Sequence, residues 1–286
     1  MASLKAIRKR ITSVRSTQQI TKAMKMVAAA KLRRAQEAVV RSRAYAAKLR
    51  EVVAGLASEA SLREHRLVRV RDAETRVLLV VLTADRGLCG GFNANLIRRS
   101  DAFLGRDGGT PSLAVVGRKG FDYYKKRAVE IREQYIGIVG RLPSELAREL
   151  GDRVVALFVA EEVDAVYVLY SQFRSALSQV PTIERVLPIE TPRQAEGDPG
   201  REYLFEPDRA TVIEDLLPRY VQVQIFQALL ESIASEHGAR MTAMDSATKN
   251  ASDMIERLTL EMNRARQATI TKELMEIVGG AEALKG

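Results

Sequence analysis

From Met1 to Ala54 the chain has neither glycine nor proline, and between Pro218 and Gly279 the single glycine Gly238 is the only interruption. No other residues punctuate a backbone as strongly. Both stretches therefore predict helices of more than fifty residues, against an average of about 11–12 in globular proteins. At 1.5 Å per residue each would reach roughly 80 Å. Such a rod cannot be contained in a globular domain.

The apolar period supports the same reading. Leu4, Ile7, Ile11 and Val14 follow 3-4-3 spacing, and Leu32, Ala35, Val39, Ala46, Leu49 and Val53 resume that register. In the second stretch Met241, Met244, Ala251, Ile255, Leu258, Met262 and Ala265 fall on one seam, with Thr248 in the remaining place. These are coiled-coil positions, and because both helices meet the same middle domain they must pair antiparallel. The seam has a gap at Gln18, Thr21 and Lys25, where Ile20, Met24 and Val27 turn another stripe to a different face. With 5% aromatic residues and no Trp, the composition also suits extended helices better than a β-sandwich.

Between these stretches strand and helix patterns alternate. "RVLLVVLT" (76–83) reads as a buried strand before the helical "ANLIRRSDAFLG", and "SLAVVG" (112–117) as a strand before "RKGFDYYKKR". A helix over Ser144–Glu162 precedes the strands "VDAVYVLYSQF" and "QVPTIERVLPI". That order predicts a doubly wound, mainly parallel sheet. The expected division is a helix over 1–56, an α/β domain over 57–218, with a polar loop ending in the aromatic "YLFEPD", and a second helix over 219–286.

Charge is unevenly placed. The net charge is +9, yet the first 54 residues alone hold 14 Lys and Arg against Glu37 and Glu51, and the remainder is nearly balanced. Arg33–Glu37 is almost the only i,i+4 pair there, so like charges on this helix call for an acidic partner. A duplex phosphate backbone and an acidic protein surface both qualify. Single-stranded nucleic acid does not, because Tyr45 is the only aromatic residue in the segment.

Few residues could carry chemistry. The loop "ADRGLCGGFN" places a Gly-rich turn at a strand end, where phosphate can bind. It matches neither common phosphate-loop pattern, and a structural turn is the expected role. Cys89, the only cysteine, excludes an internal disulfide and fits a reducing compartment; without a nearby base it reads as a buried, inert thiol. His65 and His237 lie in unrelated contexts, and no two carboxylates stand out as an acid–base pair. The expectation is an intracellular protein without catalytic residues, metal or cofactor. No apolar run reaches the ~18 residues a membrane span needs.

"RITSVRSTQQITKAMKMVAAAKLRRAQ", "TADRGLCGGFN", "YLFEPD", "LLPRYV", "SEHGARMTAMDSATKNA" and "ITKELMEIVGGAEAL" together resemble the γ subunit of bacterial F-type ATP synthases over the full length. The spacing lacks the cysteine-bearing insertion of chloroplast-type relatives, so their dithiol switch is not implied. The resemblance implies that the end helices form a rotor shaft inside a ring of α and β subunits. The α/β middle would be a foot contacting the ε subunit and the membrane c-ring. It implies ring contacts at Lys22, Met24, Lys25, Arg266, Gln267, Thr271 and Glu273, and foot contacts at Arg41, Tyr203, Phe205 and Glu206. Relatives can carry a carboxylate at the position of Lys25. Beyond Thr269 the apolar Ile270, Leu274, Met275, Ile277 and Val278 spread around the helix. That predicts a tip enclosed by an apolar collar of ring subunits, with "GGAEALKG" ending the helix. A peripheral location on the cytoplasmic face of the bacterial plasma membrane follows from the resemblance, as does the absence of nucleic acid and of a small-molecule substrate.

Overall fold

The structure, a computed structural model, describes residues 4–56, 62, 65–71, 73–105, 109–190, 206 and 208–283, with side chains to 280. The elements run α1 (Leu4–Gly55), β1 (Arg76–Leu82), α2 (Phe92–Leu104), β2 (Thr110–Val116), α3 (Arg118–Tyr124), β3 (Glu130–Tyr135), α4 (Pro143–Val159), β4 (Ala165–Phe173), β5 (Gln179–Leu187) and α5 (Arg209–Ala283). The chain divides into two compact units, one of residues 1–27 with 241–286 and one of residues 28–240.

In the first unit, Ile7, Ile11 and Leu258 are buried together, with Val14, Ile255, Met262 and Ala265 packed around them. The polar gap of the seam is filled by direct pairing. Gln18 Nε2 donates to Ser252 Oγ at 2.7 Å, Thr248 Oγ1 to Thr21 Oγ1 at 2.8 Å, and Lys25 Nζ to an Asp245 carboxylate oxygen at 2.6 Å. As one residue number rises its partner's falls, so the segments are antiparallel, as the seam predicts. Of the second apolar stripe Ile20 and Val27 are exposed, while Met24 is half-buried.

The second unit is built on a five-stranded sheet of order β3-β2-β1-β4-β5. β1 to β4 are parallel and β5 pairs antiparallel with β4. Alternation along β1 directs Leu78, Val80 and Leu82 to a core shared with Leu150, Val154 and Leu157 of α4, Ile213, Leu217 and Val221 of α5, and Leu49 and Val53 of α1. Leu79 and Val81 face the other side, with Phe92, Leu96 and Tyr124 of α2 and α3. Helices thus cover both faces, which defines the doubly wound arrangement.

Two elements depart from the sequence pattern, β3 and both ends of α5. β3 was not anticipated, because its "EIREQY" is charged and sits at a sheet edge, where no apolar run is needed. α5 begins at Arg209, before Pro218, and carries the proline inside. The Asp208 carboxylate caps this start, accepting from Thr211 N at 2.9 Å and Thr211 Oγ1 at 2.8 Å. Ile213, Leu217 and Tyr220 are buried around the proline, and that burial offsets the lost backbone bond. At the other end α5 passes through Gly279 and Gly280 to Ala283. Neither glycine is among those with positive φ, so neither forms the left-handed cap that would stop a helix.

Candidate rotor surfaces and the glycine-rich turn

The glycine-rich turn is committed to internal bonds. Ala84 N donates to Asn93 Oδ1 at 3.0 Å, and Asn93 Nδ2 donates to the Cys89 sulfur at 3.2 Å. Burial pushes the Cys89 thiol pKa up, in keeping with an inert side chain. The Asp85 carboxylate accepts from the backbone N–H groups of Arg118, Gly137 and Val139, at 2.9, 3.1 and 3.2 Å. One carboxylate therefore ties the loops after β1, β2 and β3 together. At Gly117, with φ of 91°, a Cβ would stand 2.1 Å from Thr83 O, so only glycine fits.

The crevice between β1 and β4, where a doubly wound sheet would bind a ligand, is filled by α5. Ser232 Oγ donates to Leu82 O at 3.4 Å and Ser235 Oγ to Ser171 O at 2.8 Å. Arg240 donates to Gly87 O at 3.2 Å. A Cβ on Gly238 would touch Ala176 and Phe173 at 3.4 Å. The turn is a seat for a helix, and the phosphate-cradle reading has no room.

Beside Arg240, burial and then the charges of Arg240 and Lys31 push the His237 imidazole down to about 4. The unfolded chain then binds a proton more readily below its ordinary value of about 6.5. Stability is expected to be full above that pH and to fall towards pH 4, by about 2 kcal/mol after allowance for partial exposure. Urea melts of the wild type and His237→Gln between pH 7 and 4 check this; the variant should show a shallower loss.

The residues implied as ring contacts fall into two groups on the first unit. Lys22, Met24 and Lys25 stand on α1 near Asp245 and Thr248, with Lys22 exposed and Met24 half-buried. Arg266, Gln267, Thr271 and Glu273 are exposed on α5, the nearest about 30 Å along the helix from Asp245 at 1.5 Å per residue. Ile270, Leu274, Met275, Ile277 and Val278 are all exposed. Among the described residues the apolar seam with α1 ends at Ala265. Arg41 lies in the second unit, exposed and 3.9 Å from Glu37. Glu206 is exposed; Tyr203 and Phe205 lie outside the described residues.

Sequence reading missed two acidic partners of the basic helix, because both are more than 180 residues away. Asp245, its pKa lowered first by the Lys25 hydrogen bond and then by Lys249, meets Lys25. Glu231 meets Arg43 at 2.9 Å. Part of the charge is thus offset within the chain. Lys25→Glu would set two carboxylates together and is expected to lower the melting temperature slightly, with Asp245→Lys restoring it. Thermal melts of the two single variants and the double check this.

A family model described as ATP synthase matches residues 3–284. Chains named ATP synthase gamma chain from Geobacter metallireducens and Pelotomaculum thermopropionicum are 52% and 51% identical, each alignment covering 100% of both chains. A chain in a structure of the Euglena gracilis mitochondrial ATP synthase, titled OSCP/F1/c-ring in rotational state 3, is similar with a TM-score of 0.70. It is 22% identical, over 98% of this chain and 94% of that one. A chain from the Tetrahymena thermophila mitochondrial ATP synthase, titled central stalk/cring, has a TM-score of 0.61 at 23% identity, over 80% and 99%. These two likenesses bear on the fold alone.

Proposed function

The chain belongs to the ATP synthase gamma chain family, and from that premise we propose that it is the central rotor shaft of an F-type ATP synthase. It couples rotation of a proton-driven membrane c-ring to ATP synthesis or hydrolysis in a ring of α and β subunits. The observation that carries this reading is the exit of α5 from its seam. Among the described residues the apolar seam with α1 ends at Ala265, and α5 runs on to Ala283 with Ile270, Leu274, Ile277 and Val278 exposed. These residues do not surround the helix: Ile270, Leu274, Ile277 and Val278 recur at i, i+4, i+7 and i+8, one broad apolar face with Met275 at its edge, and an uncovered face of that kind calls for other chains to cover it.

An asymmetric shaft cannot touch three catalytic subunits alike. Each angle therefore favours a different set of their conformations, and that difference in contact free energy is the coupling. No bond is made or broken on this chain, which is a subunit of a rotary enzyme and supplies no catalytic residue. We assign 1–56 and 219–286 to the shaft and 57–218 to the foot. Lys22, Met24, Lys25, Arg266, Gln267, Thr271 and Glu273 meet the ring, and Ile270, Leu274, Ile277 and Val278 form the bearing tip. Arg41, Tyr203, Phe205 and Glu206 serve the foot, towards the ε subunit and the c-ring. The location is peripheral, on the cytoplasmic face of the bacterial inner membrane. Among the described residues no helix is long and apolar enough to cross a membrane.

Purification of the tagged chain from native membranes tests the reading. Co-purification of α, β, ε and c subunits is expected. Their absence, with tight duplex binding that weakens steeply with salt, would favour the nucleic-acid alternative instead. Replacing Tyr203 and Glu206 with alanine is expected to weaken docking on the c-ring while ATP hydrolysis by the detached head is unchanged. Sedimentation with c-ring vesicles measures the first and a phosphate-release assay the second.

A further inference from the structure

Glu231 is a carboxylate with 3% of its side chain exposed, placed where three elements meet. One oxygen accepts from Arg43 of α1, from Nη2 at 2.9 Å and Nε at 3.2 Å. The other accepts from the backbone N–H of Phe173, the last residue of β4, at 3.2 Å. Ser232 and Ser235, on the same side of α5, reach the carbonyls of Leu82 and Ser171. As a source of stability the pair is modest: the Glu231 carboxylate is desolvated, while Arg43 stays 48% exposed, so water screens the attraction that has to offset the burial. What it supplies is direction. Apolar packing lets a helix roll or slide among neighbouring arrangements of similar energy, whereas three donors aimed at one carboxylate fix both its rotation and its height.

We infer that Glu231, with Arg43, is the positioning residue that keys α5 against rotation on the sheet, so that torque passes between them without slip. The inference rests on the rotor reading above. In that reading α5 belongs to the element that turns and the sheet to the element the c-ring drives. The load on their junction is therefore a twist about the helix axis, the one motion that the surrounding leucines and valines resist least. Arg43 adds the second helix to the same key.

The test uses the assembled, membrane-bound complex carrying Glu231→Met, Arg43→Met or both. Glu231→Met keeps the length and removes the charge. Its expected effect is a fall of at least about twofold in protons pumped per ATP hydrolysed, with hydrolysis by the detached head unchanged. In single-molecule rotation, a probe fixed to the foot should show broader angular fluctuation while the ring is held. The double variant should be no worse than the worse single, because the two side chains act as one unit. It also buries no lone charge, so it replaces Glu231→Met should that variant not assemble. An unchanged pumping ratio and unchanged angular width in whichever variant assembles would overturn the inference, as would additive single effects. Failure of the wild-type chain to assemble with α and β subunits would instead overturn the rotor reading itself.

Discussion

Removing residues 268–286 is expected to cut ATP-driven proton pumping at least about tenfold while leaving the chain's own stability within about 0.5 kcal/mol. The two halves of that expectation have separate causes. Among the described residues the apolar seam of the first unit ends at Ala265, and the deleted stretch has no part in it. Ile270, Leu274, Met275, Ile277 and Val278 are nevertheless exposed apolar side chains, each worth about 1.5–3 kcal/mol when enclosed. Even a fraction of that, lost from a collar of ring subunits, exceeds the ~1.4 kcal/mol of a tenfold change. A bearing also needs weakly directional contact, which such side chains provide and ion pairs do not. Deleting only 279–286 is expected to be mild. Cysteine crosslinks from Ile277 decide the matter: products with α or β subunits support the collar, and products with the foot alone dismiss it.

Asp164→Ala is expected to destabilise the α/β unit by about 2–3 kcal/mol, lowering its melting temperature by on the order of 5–10 °C. This carboxylate is 4% exposed. It accepts from Arg76 N, Nε and Nη2 at 2.8, 3.2 and 2.6 Å and from Thr75 Oγ1 at 3.0 Å. Alanine leaves Arg76 N–H and the Thr75 hydroxyl without this acceptor at the start of β1, beside the core, while the half-exposed Arg76 guanidinium turns to water. Hydrogen bonding by Arg76 first, and the other donors after it, hold the carboxyl well below the usual carboxylate range. Its contribution is therefore present above the unfolded value of about 3.9 and is lost as pH falls towards the depressed one. Asp164→Asn is expected to show a milder loss at pH 7 and to lack the acid-dependent part. Urea titrations of all three proteins at pH 7 and pH 3 measure both.

How much of this was legible depended on the range of the interactions. The long helices were, because an absence of glycine and proline is a local property that every residue of the stretch reports. Strands β1, β2 and β4 were, because burial on both faces demands continuous apolar runs such as "RVLLVVL". β3 was hidden because half of "EIREQY" is charged, which suits an edge and gives no period. Pro218 concealed the true start of α5, since the cost of a proline is visible in sequence and the burial of Ile213 and Leu217 that offsets it is not. Asp85 could have been singled out as an acid directly after a strand, in a turn where unpaired N–H groups converge. Asp245 and Glu231 could not, because nothing near them in sequence announces a lysine or arginine 220 or 188 residues away. The turn's role as a seat for α5 was likewise a tertiary fact, although its mismatch to phosphate-binding patterns already pointed to structure.

The paired polar layers of the first unit also constrain how the family can vary. Gln18 with Ser252, Thr21 with Thr248, and Lys25 with Asp245 join positions 234, 227 and 220 residues apart. A change at one member leaves the other facing an unsuitable group across the seam, so a lone substitution is penalised more than a matched one. A relative with a carboxylate in place of Lys25 should therefore carry a cation in place of Asp245. The expected result in an alignment of relatives is that the two ends of the gene change together at these sites.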